Sequence, residues 1–208
     1  VYKRQVAVRR GPIQGWMRKP SIEVVVGEKR TETVHRENGC YYKLDVAQVM
    51  FSKGNMYERQ RIARLVREGE VVVDLFAGIG QFSIQIGKHA VPARVYAIEK
   101  NPIAYRYLCE NIRMNKLGHV VVPLQGDCRE VAPRGQADRV VMGILHGGHH
   151  YLDLAMEVLK PKGGVIHYHE AAPRKLGFNR ALERIQRAAL DREVRILEKR
   201  VVKRYAPG

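Results

Sequence analysis

The chain has 208 residues, of which 45% are apolar, and this composition fits a globular protein with a buried core. Its 37 lysines and arginines outnumber its 21 acidic residues, so the formal charge is +16, which favours a polyanionic partner such as nucleic acid. A soluble protein with a merely basic surface is the alternative. No apolar run approaches the ~20 residues that span a bilayer, and the start lacks a signal-peptide pattern. The three cysteines have neither metal-site nor disulfide spacing, which suits the reducing cytoplasm.

Residues 1–50 are predicted to form a small β-rich domain. Segments 22–26 and 40–50 have strand character, and the polar connection between them contains Asn38-Gly39, a strong turn signal. The first 20 residues are basic and contain the single tryptophan, Trp16. They are candidates for contacts to RNA phosphates with a base stacked on Trp16, and a solvated charged surface is the alternative. The basic residues are Lys3, Arg4, Arg9, Arg10, Arg18 and Lys19.

Residues 51–208 are predicted to form a second domain in which strands and helices alternate. After a short helix near residue 56, the pattern predicts strands at 71–76, 93–98, 120–124, 138–142, 163–168 and 194–203, with helices at 81–89, 102–115, 150–159 and 176–190. Such alternation implies an α/β fold with a Rossmann-like parallel sheet covered by helices on both faces. Ligands of these sheets bind outside the carboxyl ends of the strands.

The most informative segment runs from Asp74 to Gly80, where a buried strand enters the turn Asp-Leu-Phe-Ala-Gly-Ile-Gly. The glycines, Gly78 and Gly80, permit a tight turn and a close approach of backbone to ligand. Glu99 follows nineteen residues later at the end of the next strand, where an acidic side chain can accept hydrogen bonds from both ribose hydroxyls of a nucleoside. Asp74 is predicted to fix the turn or to contact the amino acid end of the cofactor, and a cap of the following helix is the alternative.

Three further residues are candidates for cofactor contacts. Asp127 ends the third strand in a polar turn, where it can accept from an adenine amino group or form a plain Asx-turn. Ser52 lies in a loop that leads into a helix, and Arg59 follows within two turns. Ser52 could bond the methionine part of the cofactor and Arg59 its carboxylate, although a helix-entry residue and a solvated charge fit the sequence equally well.

Six segments occur in an order that resembles one enzyme family, the wybutosine-pathway tRNA aminocarboxypropyltransferases. They are Thr31-Glu-Thr-Val-His-Arg-Glu-Asn-Gly39, Phe51-Ser-Lys-Gly-Asn55, Asp74-Leu-Phe-Ala-Gly-Ile-Gly80, Glu99-Lys-Asn-Pro102, Gly126-Asp-Cys-Arg129 and Ile166-His-Tyr-His-Glu170. The resemblance extends over nearly the whole chain. It implies a class I S-adenosyl-L-methionine-dependent transferase sheet with a small N-terminal β domain, and it implies tRNA(Phe) as the partner.

The resemblance also implies which side chains contact the cofactor, namely Ser52, Arg59, Glu99, Asp127 and the residue at Cys128. Two positions depart from the family pattern. Cys128 stands where asparagine is common, so a side-chain hydrogen bond to adenine is expected to be missing. Gln81 replaces a usual aromatic residue, and we expect a looser pocket there.

The segment Asp138-Arg-Val-Val-Met-Gly-Ile-Leu-His146 separates this family from its methyltransferase relatives. Enzymes that methylate a base nitrogen usually carry Asn-Pro-Pro or Asn-Leu-Pro at the end of this fourth strand, whereas Gly143-Ile-Leu stands here. The resemblance therefore implies transfer of the 3-amino-3-carboxypropyl group to C7 of 4-demethylwyosine at position 37 of tRNA(Phe). The alternatives are a tRNA guanosine-37 N1-methyltransferase and a non-catalytic RNA-binding relative.

Five of the eight histidines form two groups. His146, His149 and His150 cluster in one loop that is predicted to face the RNA, and His167 and His169 share one face of a strand. Neither group has the cysteine or acidic spacing of a zinc site, so no metal is predicted. No pattern identifies a general base, and His149 and Glu170 are the candidates for that role. The protein is expected to act in the cytoplasm as a monomer.

Overall fold

A computed structural model describes residues 5–15, 17–190 and 192–203, so Trp16, Lys3 and Arg4 lie outside the described residues. Its elements are β1 (Gln5–Gln14), β2 (Lys19–Gly27), β3 (Glu32–Glu37), β4 (Cys40–Asp45), α1 (Met56–Leu65), β5 (Val71–Asp74), α2 (Ser83–His89), β6 (Arg94–Glu99), α3 (Pro102–Met114), β7 (Val121–Gln125), α4 (Cys128–Val131), β8 (Arg139–Met142), α5 (Leu152–Val158), β9 (Val165–Tyr168) and α6 (Asn179–Ala189). None of the described helices is both long and apolar enough to cross a membrane.

Five parallel strands form the central sheet in the order β7-β6-β5-β8-β9, which confirms the predicted α/β fold class. From β5 the chain first moves outward through β6 to β7, and then returns to the other side of β5 to add β8 and β9. The order of strands therefore reverses between β5 and β8. Crevices at such a reversal are where ligands bind in open α/β sheets, so the fold places a site at the carboxyl ends of β5, β6 and β8.

Successive residues of the central strands supply two separate apolar cores. Val72 and Ala97 point into a core shared with α1, α2 and α3, while Val73 and Ile98 point into one shared with α5. This alternation follows from the two-residue period of a strand, and it buries both faces of the sheet. All four of these side chains are fully buried, which explains why the strands read as continuous apolar runs.

Two antiparallel hairpins precede the sheet, one from β1 and β2 and one from β3 and β4. The predicted turn is confirmed, since Asn38 and Gly39 both have positive φ, at 48° and 71°. The prediction of a polar connection over 31–39 is wrong in one respect, because β3 occupies 32–37. Polar residues can form a strand there because β3 pairs only with β4 and most of its residues are exposed or half-buried.

The second hairpin packs against α3 through paired amide contacts. Asn111 accepts from the Lys43 main-chain N–H at 2.7 Å and donates to the Lys43 carbonyl at 3.1 Å, and Asn115 does the same for Tyr41 at 2.9 and 2.7 Å. Tyr42, on the opposite side of the strand, is completely buried in the core. The division into domains at residue 50 stays a prediction.

The predicted strand over 194–203 is wrong, because residues 192–203 contain no helix or strand. This segment contacts α1 through its charged side chains instead. Glu198 accepts from Arg61 at 2.6 Å, and the Arg200 guanidinium lies 4.4 Å from the centre of the Tyr57 ring. The apolar residues that suggested a strand remain exposed, Leu197 at 68%, so they supply no core face that would fix a strand register.

Candidate cofactor-binding site

The turn after β5 has a conformation that requires glycine. Gly78 and Gly80 have φ of +58° and +94°, in the left-handed region that other residues rarely adopt. A Cβ atom on Gly80 would also lie 2.8 Å from Ile84 Cγ1 and 3.0 Å from Leu108 Cδ1. The turn therefore brings its main chain close to the start of α2 and directs the Gly78 N–H toward the end of β6.

Glu99 lies at that strand end, as predicted. Its Oε2 accepts from the Gly78 N–H at 2.8 Å and its Oε1 accepts from the Asn101 N–H at 2.7 Å. Burial raises the pKa of this carboxyl, and the backbone hydrogen bonds oppose that shift. Each carboxylate oxygen retains capacity for a second hydrogen bond, so the group can still accept from two neighbouring hydroxyls. The structure thus brings Gly78 and Glu99 together in one site.

Asp74 faces away from that site into the protein. Its side chain is completely buried, accepts from Ser83 Oγ at 2.7 Å, and contacts the Phe76 N–H at 3.4 Å. Burial raises its pKa to about 6. The contacts correspond to the predicted role of fixing the glycine turn, and they tie the end of β5 to the first residue of α2.

Asp127 and Cys128 begin the short helix α4 on the other side of Glu99. Asp127 accepts from the Arg129 N–H at 3.0 Å, which is an Asx-type cap, and from Lys100 Nζ at 2.9 Å. Lys100 and Arg129 hold the pKa of this carboxyl below its usual value. The Cys128 side chain is buried, and burial raises its pKa to about 12, so it is a neutral thiol. Its Sγ packs among apolar residues of the second core.

Arg59 is completely buried, and both edges of its guanidinium are engaged by protein groups. Nε and Nη2 form a bidentate ion pair with Glu37, at 2.8 and 2.6 Å. Nη1 donates to the Ser52 carbonyl at 2.7 Å, and the Phe51 ring covers the guanidinium at 4.8 Å. These contacts differ from the predicted one with a cofactor carboxylate, because they leave no open bidentate edge.

Gln81 connects this buried cluster to the glycine turn, a role that the sequence did not reveal. Its Oε1 accepts from the Ser52 N–H at 3.1 Å and from Arg59 Nη1 at 3.2 Å. Its Nε2 donates to the Met50 carbonyl at 3.4 Å. Where we expected looser packing, two contacts tie residues 50–52 to the turn, a third ties Arg59 to it, and together they bring Ser52 beside the predicted site.

Aromatic rings border the site at the ends of β5 and β8. The Phe76 ring packs edge-on against Tyr151 at 5.0 Å, and the Arg129 guanidinium covers Tyr151 at 4.1 Å. At the end of β8, a Cβ atom on Gly143 would lie 2.9 Å from Cε2 of Phe82. The absence of a side chain at Gly143 is therefore what allows the Phe82 ring to occupy its position.

Replacing Gly143 with alanine should lower the free energy of unfolding by about 1–3 kcal/mol, because the added methyl group forces the buried Phe82 ring out of place. Urea unfolding measures the difference. Gly118→Ala is the matched control, since among the described residues no atom beyond its two chain neighbours lies within 4 Å of its would-be Cβ, and it should change stability by less than about 0.5 kcal/mol. Equal effects of the two variants would show that the Phe82 contact does not restrict position 143.

His167, His169 and Glu170 have partners within the protein, and the His169 ring lies 3.0 Å from the Met142 carbonyl through Nδ1. His167 contacts Arg139 Nη1 at 2.7 Å, and burial together with this cation lowers its pKa to about 3. Glu170 pairs with Arg180 and Arg184 and accepts from Tyr168, so its carboxylate is not placed as a free base. Across the described ranges, no three histidine, cysteine or acidic side chains are grouped as metal ligands would be.

Comparisons with known proteins agree with this arrangement. Residues 33–197 match the TRM5/TYW2 methyltransferase domain. The chain is 49% identical over 198 residues to the tRNA(Phe) (4-demethylwyosine(37)-C(7)) aminocarboxypropyltransferase of Methanocaldococcus jannaschii, covering 94% of this chain and 78% of that protein. It is 42% identical over 204 residues to the tRNA (guanine(37)-N(1))-methyltransferase Trm5b of Pyrococcus abyssi, covering 97% of this chain and 60% of that protein.

The fold is similar to that of a solved structure with a bound cofactor. The crystal structure of M. jannaschii TYW2 in complex with AdoMet superposes with a TM-score of 0.83 and 48% identity, covering 90% of this chain and 85% of that one. The matched family domain includes all seven of the predicted cofactor-contacting residues and the whole five-stranded sheet. The chain therefore belongs to the TRM5/TYW2 family of S-adenosylmethionine-dependent tRNA-modifying enzymes.

Proposed function

We propose that this chain transfers the 3-amino-3-carboxypropyl group of S-adenosylmethionine to C7 of 4-demethylwyosine at position 37 of tRNA(Phe). The observation that carries the proposal is the 49% identity, over 94% of the chain, to an aminocarboxypropyltransferase of that specificity. Gly143 supports it, because the Phe82 ring occupies the space that an asparagine side chain of a base-nitrogen methyltransferase would need.

The side chains at the sheet edge fit the nucleoside part of the donor. We propose that Glu99 accepts from both ribose hydroxyls while the Gly78 and Asn101 N–H groups hold its carboxylate in place. Asp127 and Cys128 would border the adenine, with the Asp127 carboxylate as acceptor for the amino group. On the methionine side, Ser52 is the proposed contact.

Two of the residues predicted to contact the cofactor instead hold neighbouring groups of the site in place. Asp74 fixes the glycine turn through Ser83, and Arg59 holds the Ser52 carbonyl and Gln81 in place. The donor supplies a γ-carbon bonded to a sulfonium, so transfer breaks that carbon–sulfur bond, forms a carbon–carbon bond at C7, and releases 5′-methylthioadenosine and the C7 proton. The protein contributes mainly by holding the reacting atoms ~3–3.5 Å apart and in line. We assign no residue as general base.

The proposed partner follows from charge and from the names of both relatives, which act on tRNA. A formal charge of +16 supplies the attraction to a phosphate backbone, and the first hairpin carries part of it through Arg9, Arg10 and Lys19. We further propose that the protein works in the cytoplasm, as a monomer and without a metal, and that residues 1–50 and 51–208 are its two domains.

Analysis of both products tests the proposal. The chain is incubated with S-adenosylmethionine and tRNA(Phe) that carries 4-demethylwyosine, and both the tRNA base and the small-molecule product are identified by mass spectrometry. We expect an aminocarboxypropylated base together with 5′-methylthioadenosine. The second candidate, kept by the 42% identity to Trm5b, is tested in parallel on tRNA(Phe) with an unmodified guanosine at position 37, because a guanine N1 is free only there. A methylated guanosine together with S-adenosylhomocysteine from that tRNA would instead identify the methyltransferase. Absence of both products, with donor still bound, would indicate a non-catalytic relative.

A further inference from the structure

The loop between β8 and α5 carries two stacked histidine rings at the carboxyl edge of the sheet. The ring centres of His149 and His150, here called the histidine pair, are 3.9 Å apart, with 37° between the ring planes. His150 is exposed and His149 is half-buried. The next residue, Tyr151, packs against Phe76 of the turn after β5. The histidine pair therefore lies beside the proposed donor site without belonging to it.

The backbone of this loop fixes the position of the histidine pair. Gly147 has a φ of +75°, and its carbonyl accepts from the His150 N–H at 3.1 Å to close a turn. Gly148 is buried, and a Cβ atom there would lie 3.1 Å from Ile144 Cγ2 and 3.5 Å from Tyr168 Cε2. Rings that are held in place before a partner arrives lose little conformational entropy when they bind it.

Two arginines of α6 lie near the histidine pair. Arg180 and Arg184 both pair with the Glu170 carboxylate, and their side chains stay 30% and 27% exposed. Glu170 is the only described carboxylate that pairs with either arginine, so these three groups together carry one net positive charge. Burial, and after it the charge of Arg184, lowers the pKa of His149, so that this ring is uncharged under neutral conditions.

An exposed ring next to partly exposed arginines matches the chemistry of single-stranded RNA. Histidine and aromatic rings stack on unpaired bases, and arginines contact the phosphates of the same strand. An acidic peptide would also attract the arginines, but it offers no planar group for the open ring face. The surface lies at the sheet edge to which the proposed tRNA substrate must come, and the formal charge of +16 favours the same partner.

We propose that the histidine pair stacks on a nucleobase that flanks the target base of the tRNA, while Arg180 and Arg184 contact a phosphate of the same strand. The proposal deepens the proposed function, from which it takes tRNA as the partner. The exposed His150 ring lies on the base, and the His149 ring supports it from the other side. Because this surface is separate from the donor site, it contributes to binding of tRNA and not of S-adenosylmethionine.

Fluorescence anisotropy with tRNA(Phe) that carries 4-demethylwyosine tests the ring contact without requiring transfer. His150→Ala should weaken tRNA binding by about 5- to 150-fold, the range for losing one stacked base. His150→Phe should keep most of the affinity, because it retains a stacking ring. Both variants should bind S-adenosylmethionine as the unaltered protein does. His119→Ala is the control, because it removes an exposed histidine next to the amino end of β7, at the opposite edge of the sheet.

An abasic nucleotide on the 5′ or the 3′ side of the target identifies the base that His150 contacts. On the tRNA that lacks the stacked base, His150→Ala should change affinity by less than about two-fold, because the interaction is already absent. On the other abasic tRNA, the full loss should persist. Equal losses on the intact tRNA and on both abasic tRNAs would overturn the stacking contact, as would unchanged affinity of His150→Ala for the intact tRNA.

The salt dependence of tRNA binding tests the phosphate contact. Arg184→Gln should lower the slope of log affinity against log salt by about 0.7, the value for one phosphate of a single strand, and Arg184→Lys should restore it. Arg113→Gln, at the exposed end of α3, is the control and should leave the slope unchanged. An unchanged slope for Arg184→Gln would overturn the phosphate contact, and so would a loss of S-adenosylmethionine binding, which would place Arg184 in the fold or the donor site. A methylated product from the unaltered protein would refute the proposed reaction, yet these binding measurements would still decide the role of the surface.

Discussion

Replacing Glu99 with alanine is expected to weaken binding of S-adenosylmethionine by about 10²-fold or more. The proposed contacts are two hydrogen bonds from ribose hydroxyls to one carboxylate, and each is worth about 1.5–3 kcal/mol. The carboxylate is well prepared for them, because the Gly78 and Asn101 N–H groups already fix its position at 2.8 and 2.7 Å. Removing it loses both ribose contacts and leaves these two backbone donors without their acceptor.

Calorimetry compares S-adenosylmethionine with 5′-methylthioadenosine, which lacks the amino acid arm. The ribose is common to S-adenosylmethionine and 5′-methylthioadenosine, so Glu99→Ala should weaken both to a similar extent. Glu157→Ala serves as the control, because it removes an exposed carboxylate on α5 that is paired with Arg134. Affinities within about three-fold of those of the unaltered protein would exclude Glu99 as the ribose ligand. A loss confined to S-adenosylmethionine would place Glu99 near the methionine arm.

The sequence could predict Gly78 and Glu99 as neighbours because each property involved is local or periodic. The buried strands β5 and β6 are continuous apolar runs, the glycine turn is specified by its own residues, and parallel neighbours bring their carboxyl ends to one edge. The number of residues between the glycine turn and Glu99 therefore predicts that the two lie close together at the sheet edge. The same holds for the hairpin turn at Asn38-Gly39, where the required positive φ values select those two residue types.

The contacts of Arg59 could not be read from the sequence in this way. Its partners come from a hairpin strand, a loop and the glycine turn, and nothing in the local pattern of α1 indicates that Glu37 will meet it. The same limit applies to Arg18, whose environment depends on how the first hairpin folds over loop 50–52. In each case the charge was evident, but its pairing is decided by packing between distant segments.

The two errors in the predicted elements have a common physical origin. Strand character in 194–203 came from alternating apolar residues, yet a strand also needs a neighbouring strand with which its backbone can pair. This segment instead contacts α1 through the side chains of Glu198 and Arg200. In the opposite sense, 32–37 is too polar to suggest a strand, but its backbone pairs along its whole length with β4. Tertiary pairing overrides local preference at both places.

Replacing Arg59 with methionine should lower the free energy of unfolding by about 3–5 kcal/mol, the range for removing one partner of a buried ion pair. The Glu37 carboxylate is 6% exposed as a residue and would lose two hydrogen bonds of 2.8 and 2.6 Å. Urea unfolding gives the value. Arg134→Met is the matched control because its ion pair with Glu157 is half exposed, and exposed pairs contribute about 0–1 kcal/mol.

The double variant Arg59→Met/Glu37→Gln separates the ion pair from other effects of the methionine. Because the uncompensated charge is removed, it should be more stable than Arg59→Met alone by about 1–3 kcal/mol. No gain in stability would show that Glu37 is not the group left uncompensated.

The double variant also tests, in a folded protein, whether Arg59 binds the carboxylate of S-adenosylmethionine. If Arg59 held that carboxylate, S-adenosylmethionine binding would be lost while 5′-methylthioadenosine binding persisted. Because the Arg59 fork is closed by Glu37 and Ser52, we expect both ligands to lose affinity to a similar, smaller extent through the displaced loop 50–52.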